Sequence, residues 1–333
     1  MKVLITGATS TIGNQLVELL LHEGFQIHLL VRDESKCPYF NRPNIKLFKG
    51  EIDALNSLTV AMKECDYVFH LAALTKVWIK DSSAYYKVNV EGTLNVLKVA
   101  KATGVKRVVI TSSAGGYGPS ISSVITEEKV REIGFFNDYE CSKVLCELKA
   151  KEFSIKHQLD VVIVSPTRVY GPTLNAEVSS ITLLFDQYLH HAWRLIPGDG
   201  RDVGNYAFIE DVAKGHLLAM KHGKSGETYL LGGHNLTYLQ FFSHLSSIAG
   251  IRRRMIHMPY AFQKIYAYLE LFKAKWLNGN PKITPSWLAK GKYNWEVDCT
   301  KAKNDLGYQI TPVTDAFAKT IFFLKRKKNE GPH

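Results

Sequence analysis

The chain has 333 residues, 46% of them hydrophobic, enough to bury a large core in one large domain or two closely packed ones. No apolar run approaches the roughly 18 residues of a membrane-spanning helix and no signal peptide is evident, so a cytoplasmic, reduced protein without a transmembrane segment is expected. The formal net charge of +11 stands alongside no nucleic-acid-binding motif, so nucleic acid is not an expected partner and the charge reads as a solvated basic surface attractive to a polyanionic cofactor.

Lys2-Val3-Leu4-Ile5 predicts a short buried strand. Thr6 to Gly13 is a turn of small residues, and Asn14 to Glu23 predicts a helix with Leu16, Leu19, Leu20 and Leu21 at apolar positions. Strand, small-residue turn and helix form the setting of a dinucleotide-binding turn. The small residues let the backbone approach a pyrophosphate, and the helix N-terminus offers free N–H groups to its charge. The middle position of Gly-x-x-Gly-x-x-Gly holds Ser10, small enough to keep the turn and with a hydroxyl able to bond a phosphate.

A second strand, Ile27 to Val31, ends at Arg32, nineteen residues after Gly13. An acidic residue at such a strand end bonds a ribose 2′-hydroxyl, whereas an arginine accommodates a 2′-phosphate. Arg32, with Lys36 nearby, favours NADP(H). Asp33, one residue on, keeps NAD(H) open.

Tyr139-Glu140-Cys141-Ser142-Lys143 places a phenol and an ammonium four residues apart, on one face of a helix. A free phenol has a pKa of roughly 10. The nearby ammonium is expected to favour the phenolate and lower that value, so that Tyr139 exchanges a proton near neutrality. This suits interconversion of an alcohol and a ketone.

Further along, Val68 to Ala73, Val88-Asn89-Val90-Glu91-Gly92-Thr93, Arg107 to Ala114, Ser165 to Pro172, Phe208 to Ala213 and Gly226 to Gly232 follow in order. Together with the turn and the Tyr–Lys pair, this ordered set resembles the extended short-chain dehydrogenase/reductase family over nearly the whole chain. The resemblance implies an α/β fold: a Rossmann-like doubly wound parallel sheet with a smaller C-terminal substrate-binding lobe. Residues 1–172 would bind NAD(P), and 173–333 would form mainly the substrate lobe, with segments at about 205–232 returning to the first domain. It implies Ser113 as the catalytic hydroxyl (Ser112 the alternative), Tyr139 as acid–base and Lys143 as tuner and ribose ligand. Cofactor contacts would come from Gly7, Thr9, Ser10, Thr11, Ile12, Gly13, Arg32, Lys36, Glu51, Ile52, Leu71, Ala72, Ala73, Thr111, Tyr139, Lys143, Pro166, Thr167 and Val169. Asn89 would be structural or organise water, and a homodimer is the family expectation.

Two branches of that family compete. Nucleotide-sugar epimerases and dehydratases usually carry Asn before Val-Tyr-Gly-Pro and Arg in the later aromatic segment; this chain has Arg168 and Gly204 there, with Arg201 or Arg168 as substitutes. Gly198-Asp199-Gly200-Arg201, Asn205 to Val212 and Ser165-Pro166-Thr167 look more like dihydroflavonol reductases and 3β-hydroxysteroid or sterol dehydrogenases. The expectation is therefore an NADP(H)-dependent enzyme acting on a small apolar ketone or alcohol. A non-catalytic cofactor sensor on the same fold is disfavoured by the complete Ser113–Tyr139–Lys143 set.

Pro259 to Trp276 carries six aromatic residues at helical spacing. It reads equally as core packing, or as a lid over substrate or a membrane-touching face. Arg252-Arg253-Arg254 and Lys325-Arg326-Lys327-Lys328 add a second reason to consider peripheral contact with acidic membranes. Five cysteines at irregular spacing form no metal pattern, no metal is expected, and His190-His191 reads as surface.

Overall fold

A computed structural model describes residues 1–37, 39, 42–173, 179–191, 193–277, 279 and 281–329; the side chains of Lys36, Lys328 and Asn329 lie outside that description. The strands are β1 (Lys2–Thr6), β2 (Gln26–Val31), β3 (Ile45–Lys49), β4 (Tyr67–His70), β5 (Arg107–Thr111), β6 (Val161–Pro166), β7 (Arg168–Tyr170), β8 (Leu195–Pro197), β9 (Val203–Phe208), β10 (Thr228–Leu231), β11 (His234–Thr237) and β12 (Ile256–Met258). The helices are α1 (Thr11–His22), α2 (Leu55–Met62), α3 (Ser83–Tyr86), α4 (Gly92–Ala102), α5 (Asp138–His157), α6 (Ser180–His190), α7 (Ile209–His222), α8 (Tyr238–Ala249), α9 (Tyr260–Trp276), α10 (Pro285–Lys290), α11 (Thr300–Leu306) and α12 (Val313–Asn329).

Seven strands form one sheet in the order β10-β6-β5-β4-β1-β2-β3, parallel at every pairing. The centre of β1, Val3-Leu4-Ile5, is continuously apolar because both faces of a parallel sheet are covered. Its side chains alternate accordingly: Val3 and Ile5 enter a core shared with α1 and α7, while Leu4 enters the opposite core with α2, α4 and α5. β1 lies between β2 and β4, so the chain reverses its direction of travel across the sheet there. In open α/β sheets ligands bind beyond the carboxyl ends of the strands at such a reversal.

A third, aromatic core lies around Tyr170, Phe185, Phe241 and Phe317, joined by ring contacts such as Phe185–Phe317 at 4.8 Å. It packs beside the three-stranded sheet β11-β9-β7. The segment after β6 is in part a strand: Arg168 to Tyr170 pairs with Tyr206 to Phe208 of β9. Pairing commits the backbone groups of this segment and holds it in register with the second sheet.

Candidate active site

The glycine-rich turn joins β1 to α1 at the reversal point. Gly7 has φ +76°, and a Cβ there would come within 2.5 Å of the Ala72 nitrogen, so the turn presses on the end of β4. At Gly13 a Cβ would meet the Gly7 carbonyl at 2.2 Å, which fixes how tightly α1 starts. Thr9, Ser10, Thr11 and Ile12 complete the turn and the first helical residues. Ser10 uses its hydroxyl oxygen as the N-cap of α1, accepting from Gly13 N at 3.1 Å, which leaves the hydroxyl proton available to donate. Ile12 packs its side chain on the core. The close-packed backbone and helix N-terminus at the strand ends fit a dinucleotide.

Arg32 follows directly on β2 and is exposed. Asp33, the competing carboxylate, accepts from Ser35 N at 3.1 Å and Ser35 Oγ at 2.6 Å, so it caps its own loop. The Lys36 side chain lies outside the described residues. Glu51 and Ile52 follow β3; Glu51 is exposed, and Ile52 packs so closely on Gly92 that a Cβ there would lie 2.5 Å from Ile52 Cδ1. Leu71, Ala72 and Ala73 extend from β4, with Leu71 N bonded to the Thr6 carbonyl at 3.0 Å.

A buried polar chain stiffens this junction. Thr93 Oγ1 donates to the Asn89 carbonyl at 2.7 Å, so it must accept from His70 Nε2 at 2.9 Å. His70 Nδ1 then accepts from Thr6 Oγ1 at 2.7 Å. Burial lowers the His70 pKa to about 3, with the Lys143 charge adding to the effect, so the ring is neutral. Asn89, presented by a π-helical turn over Lys87–Glu91, binds Leu74 N at 2.7 Å and donates to Ser142 Oγ at 2.9 Å. It therefore ties the loop after β4 to the helix bearing Tyr139 and Lys143, a structural role.

α5 starts at Asn137, whose side chain caps Glu140 N at 2.9 Å, with Asp138 and Glu140 favourably placed in its positive first turn. Tyr139 is partly buried between Tyr85 and Trp287, both rings 6.3 Å away, the Trp287 plane tilted only 24°. Lys143 is buried and donates to the Thr111 carbonyl at 2.6 Å. Thr111 Oγ1 in turn contacts His216 Nε2 at 2.8 Å; His216 Nδ1 must donate to the Val212 carbonyl at 2.7 Å, leaving Nε2 as acceptor.

Of the two candidate serines, Ser113 is the one beside the phenol. The Ser113 hydroxyl is close enough to lower the pKa of the Tyr139 phenol against its burial, while the buried Ser112 Oγ has no hydrogen-bond partner among the described residues. Ser113 also caps the turn that follows it, accepting from Gly115 N at 3.2 Å. Thr167 Oγ1 donates to Asn205 Oδ1 at 2.7 Å. Pro166 ends β6, and the partly buried Val169 bridges two cores.

The electrostatics correct one sequence expectation. Burial raises the Tyr139 pKa to about 12, opposed by the Ser113 hydrogen bond. Lys143 was expected to lower it, but burial of the phenol outweighs that, and the Lys143 ammonium donates to the Thr111 carbonyl at 2.6 Å. Spacing along a helix brings the two groups to one face but carries no measure of desolvation.

Four residues at this site carry no signal in the Tyr-x-x-x-Lys pattern. Glu140, inside the motif but facing away from it, is buried and paired with Arg131 at 2.8 Å and Lys290 at 2.6 Å. Arg131 also donates to the carbonyls of Gly115 and Gly116, at 2.9 and 3.1 Å, clamping the turn after Ser113. Lys290 and Trp287 come from α10, whose start is marked in sequence by the N-cap Thr284 and by Pro285. Lys290 Nζ lies 4.7 Å from the Trp287 ring centre. The Trp287 Nε1 proton has no hydrogen-bond partner among the described residues. Arg168, on β7, fills the space over Gly204, where a Cβ would lie 2.5 Å from its guanidinium. His190 and His191 both lie near Asp186, at 3.9 and 3.7 Å.

A glycine turn at the reversal point of a parallel sheet, together with a Ser–Tyr–Lys set, defines an NAD(P)-dependent oxidoreductase of the extended short-chain dehydrogenase/reductase type acting on CH–OH groups. The chain belongs to the NAD dependent epimerase/dehydratase family, whose sequence profile matches residues 3–232. It is 27% identical to Sterol demethylase protein B of Methylococcus capsulatus, covering 98% of this chain and 99% of that one. It is also 27% identical to Cinnamoyl-CoA reductase CAD2 of Medicago truncatula, covering 98% and 96%. Among solved structures, dTDP-glucose 4,6-dehydratase DesIV of Streptomyces venezuelae, with NAD and TYD bound, shares the fold at a TM-score of 0.78, 23% identity and coverage of 99% and 98%.

Proposed function

We propose that the protein is an NADP(H)-dependent oxidoreductase that interconverts a ketone and a secondary alcohol on a small apolar molecule. The observation that carries this reading is Tyr139: a protonated phenol beside Ser113, with Trp287 forming an aromatic wall 6.3 Å away. Relatives named as a sterol demethylase protein and a cinnamoyl-CoA reductase support an apolar substrate.

Ser113 and Tyr139 bind the substrate oxygen. When bound, the cofactor supplies or accepts the hydride. In reduction the Tyr139 phenol gives its proton to the oxygen as the carbonyl becomes an alcohol, and in oxidation the phenolate takes it back. A phenol whose pKa is raised to about 12 is protonated at neutral pH, the form that gives its proton in reduction. Lys143, anchored to Thr111, holds the cofactor's nicotinamide ribose. Arg32 supports the 2′-phosphate reading because it is exposed while Asp33 is occupied by Ser35.

The nucleotide-sugar reading rests on Arg168, which delivers a guanidinium from β7 over Gly204 and would suit a diphosphate. The two readings separate on the purified protein. NADPH consumption with apolar ketones, and no nicotinamide retained after denaturation, supports the reductase. Retained NAD near one per chain, with no net redox change on a nucleotide sugar, overturns it.

A further inference from the structure

The large apolar side chains of α9 face outward. The residues it buries are Ala267 and Ala274, while Phe262, Ile265, Leu269, Phe272 and Trp276 are 65%, 58%, 54%, 59% and 74% exposed. Their spacing of three, four, three and four residues makes one continuous stripe along the helix. An amphipathic helix of a globular protein normally turns such a stripe inward. Here small residues pack down and the large ones meet water, which excludes core packing. Contiguous exposed apolar surface of this kind marks an interaction site.

The charges around the stripe identify the partner. Lys264 and Lys275 border it in the groove that it forms, and Lys273 is exposed on the same helix. The one acidic side chain of α9, Glu270, is engaged by Lys282 N at 3.1 Å and Lys273 Nζ at 3.5 Å. An apolar stripe edged by lysines complements anionic headgroups over acyl chains. Trp276 and Tyr268 add the amphipathic rings that favour the bilayer interface. A second copy is the poorer partner. Symmetric pairing of this face would set lysines against lysines, with no free carboxylate on the helix to answer them. No described helix is long and apolar enough to cross a membrane, so α9 would lie in the plane of the surface.

We propose that α9 docks the protein on anionic lipid membranes. It packs directly against α10, the helix that sets Trp287 on Tyr139, so docking brings the substrate side of the site next to the lipid. The docking stands independently of the redox chemistry.

The test is flotation of the full chain with phosphatidylcholine vesicles, with and without phosphatidylglycerol. The protein should float with the anionic vesicles, and several-fold less at high salt. Leu269→Asn, Phe272→Ser and Trp276→Ser combined should abolish flotation while leaving the melting temperature and the reduction of a water-soluble ketone intact. Lys264→Gln with Lys275→Gln should lower it several-fold. Absence of flotation, flotation indifferent to both sets of changes, or a dimer in sedimentation that the apolar changes dissolve would each overturn the proposal. A wild-type chain that floats without reducing any ketone would keep the docking and reject the ketone-reductase reading.

Discussion

Trp287 lies nearly parallel to Tyr139, ring centres 6.3 Å apart and planes 24° apart, although the two residues come from different parts of the fold. The indole thus lines the space where a substrate would meet the phenol. Trp287→Ala should raise KM for an apolar ketone about tenfold, equivalent to about 1.4 kcal/mol, with NADPH affinity unchanged. Steady-state kinetics alongside a cofactor titration checks both halves. Equal loss for cofactor and ketone would show that the ring merely supports the fold.

Tyr139→Phe removes the proton donor and keeps the ring stack. Turnover should fall by about 10²- to 10⁴-fold, while NADPH still binds. Turnover that survives the change would discard the proposed mechanism.

The raised phenol pKa also fixes a pH asymmetry. Because Tyr139 stays protonated up to about 12, kcat for reduction should remain flat through neutral and mildly alkaline pH. Oxidation of the alcohol, which needs the phenolate, should accelerate as pH rises. A reduction rate that drops with an apparent pKa near neutrality would place the titrating group elsewhere or show that a bound charge moves the phenol.

Arg32→Ser should weaken NADPH binding by on the order of tenfold to hundredfold, the range of a lost charged hydrogen bond, and leave NADH binding nearly unchanged. Fluorescence titration with both cofactors measures the ratio. An equal loss for the two would remove Arg32 from the 2′-phosphate.

Stability should fall on the acid side because of two buried histidines. Burial lowers the pKa of His70 to about 3 and of His216 to about 4. A depressed folded pKa means that the unfolded chain binds more protons between those values and the ordinary histidine pKa of about 6.5. The stabilisation is therefore complete above about 6.5 and is lost progressively as pH drops below it. Melting temperatures between neutral and acid pH should show this slope, and His70→Asn should reduce it. An unchanged slope would assign the acid sensitivity to other groups.

Local spacing made much of the machinery readable in advance. Gly7 and Gly13 sit where a turn must let backbones touch, and Tyr139 and Lys143 share a helix face, so their periodicity carries the geometry. Ser113, with Ser112 as the alternative, came from the resemblance of Arg107 to Ala114 to the family's strand and not from spacing. Trp287, Lys290 and Arg131 were not readable: they reach the site through tertiary contacts that no short pattern encodes. The outward face of α9 was equally hidden, since a periodic apolar stripe shows that one side is greasy but not which side meets the protein. The phenol's acidity was misread for a related reason: the sequence shows a neighbouring charge but not the depth of burial.

Glu140 is fully buried between Arg131 and Lys290, and the lysine belongs to the far end of the chain. A buried carboxylate is costly when under-compensated, and without Lys290 only Arg131 would answer its charge, so the ion pair holds the substrate-facing helix α10 to the catalytic helix. Anyone grafting a new specificity region onto this scaffold inherits that constraint. A chimera that replaces α10 would have to retain a cation at position 290 or neutralise position 140 as well. Over evolutionary time the two sites should drift as a pair.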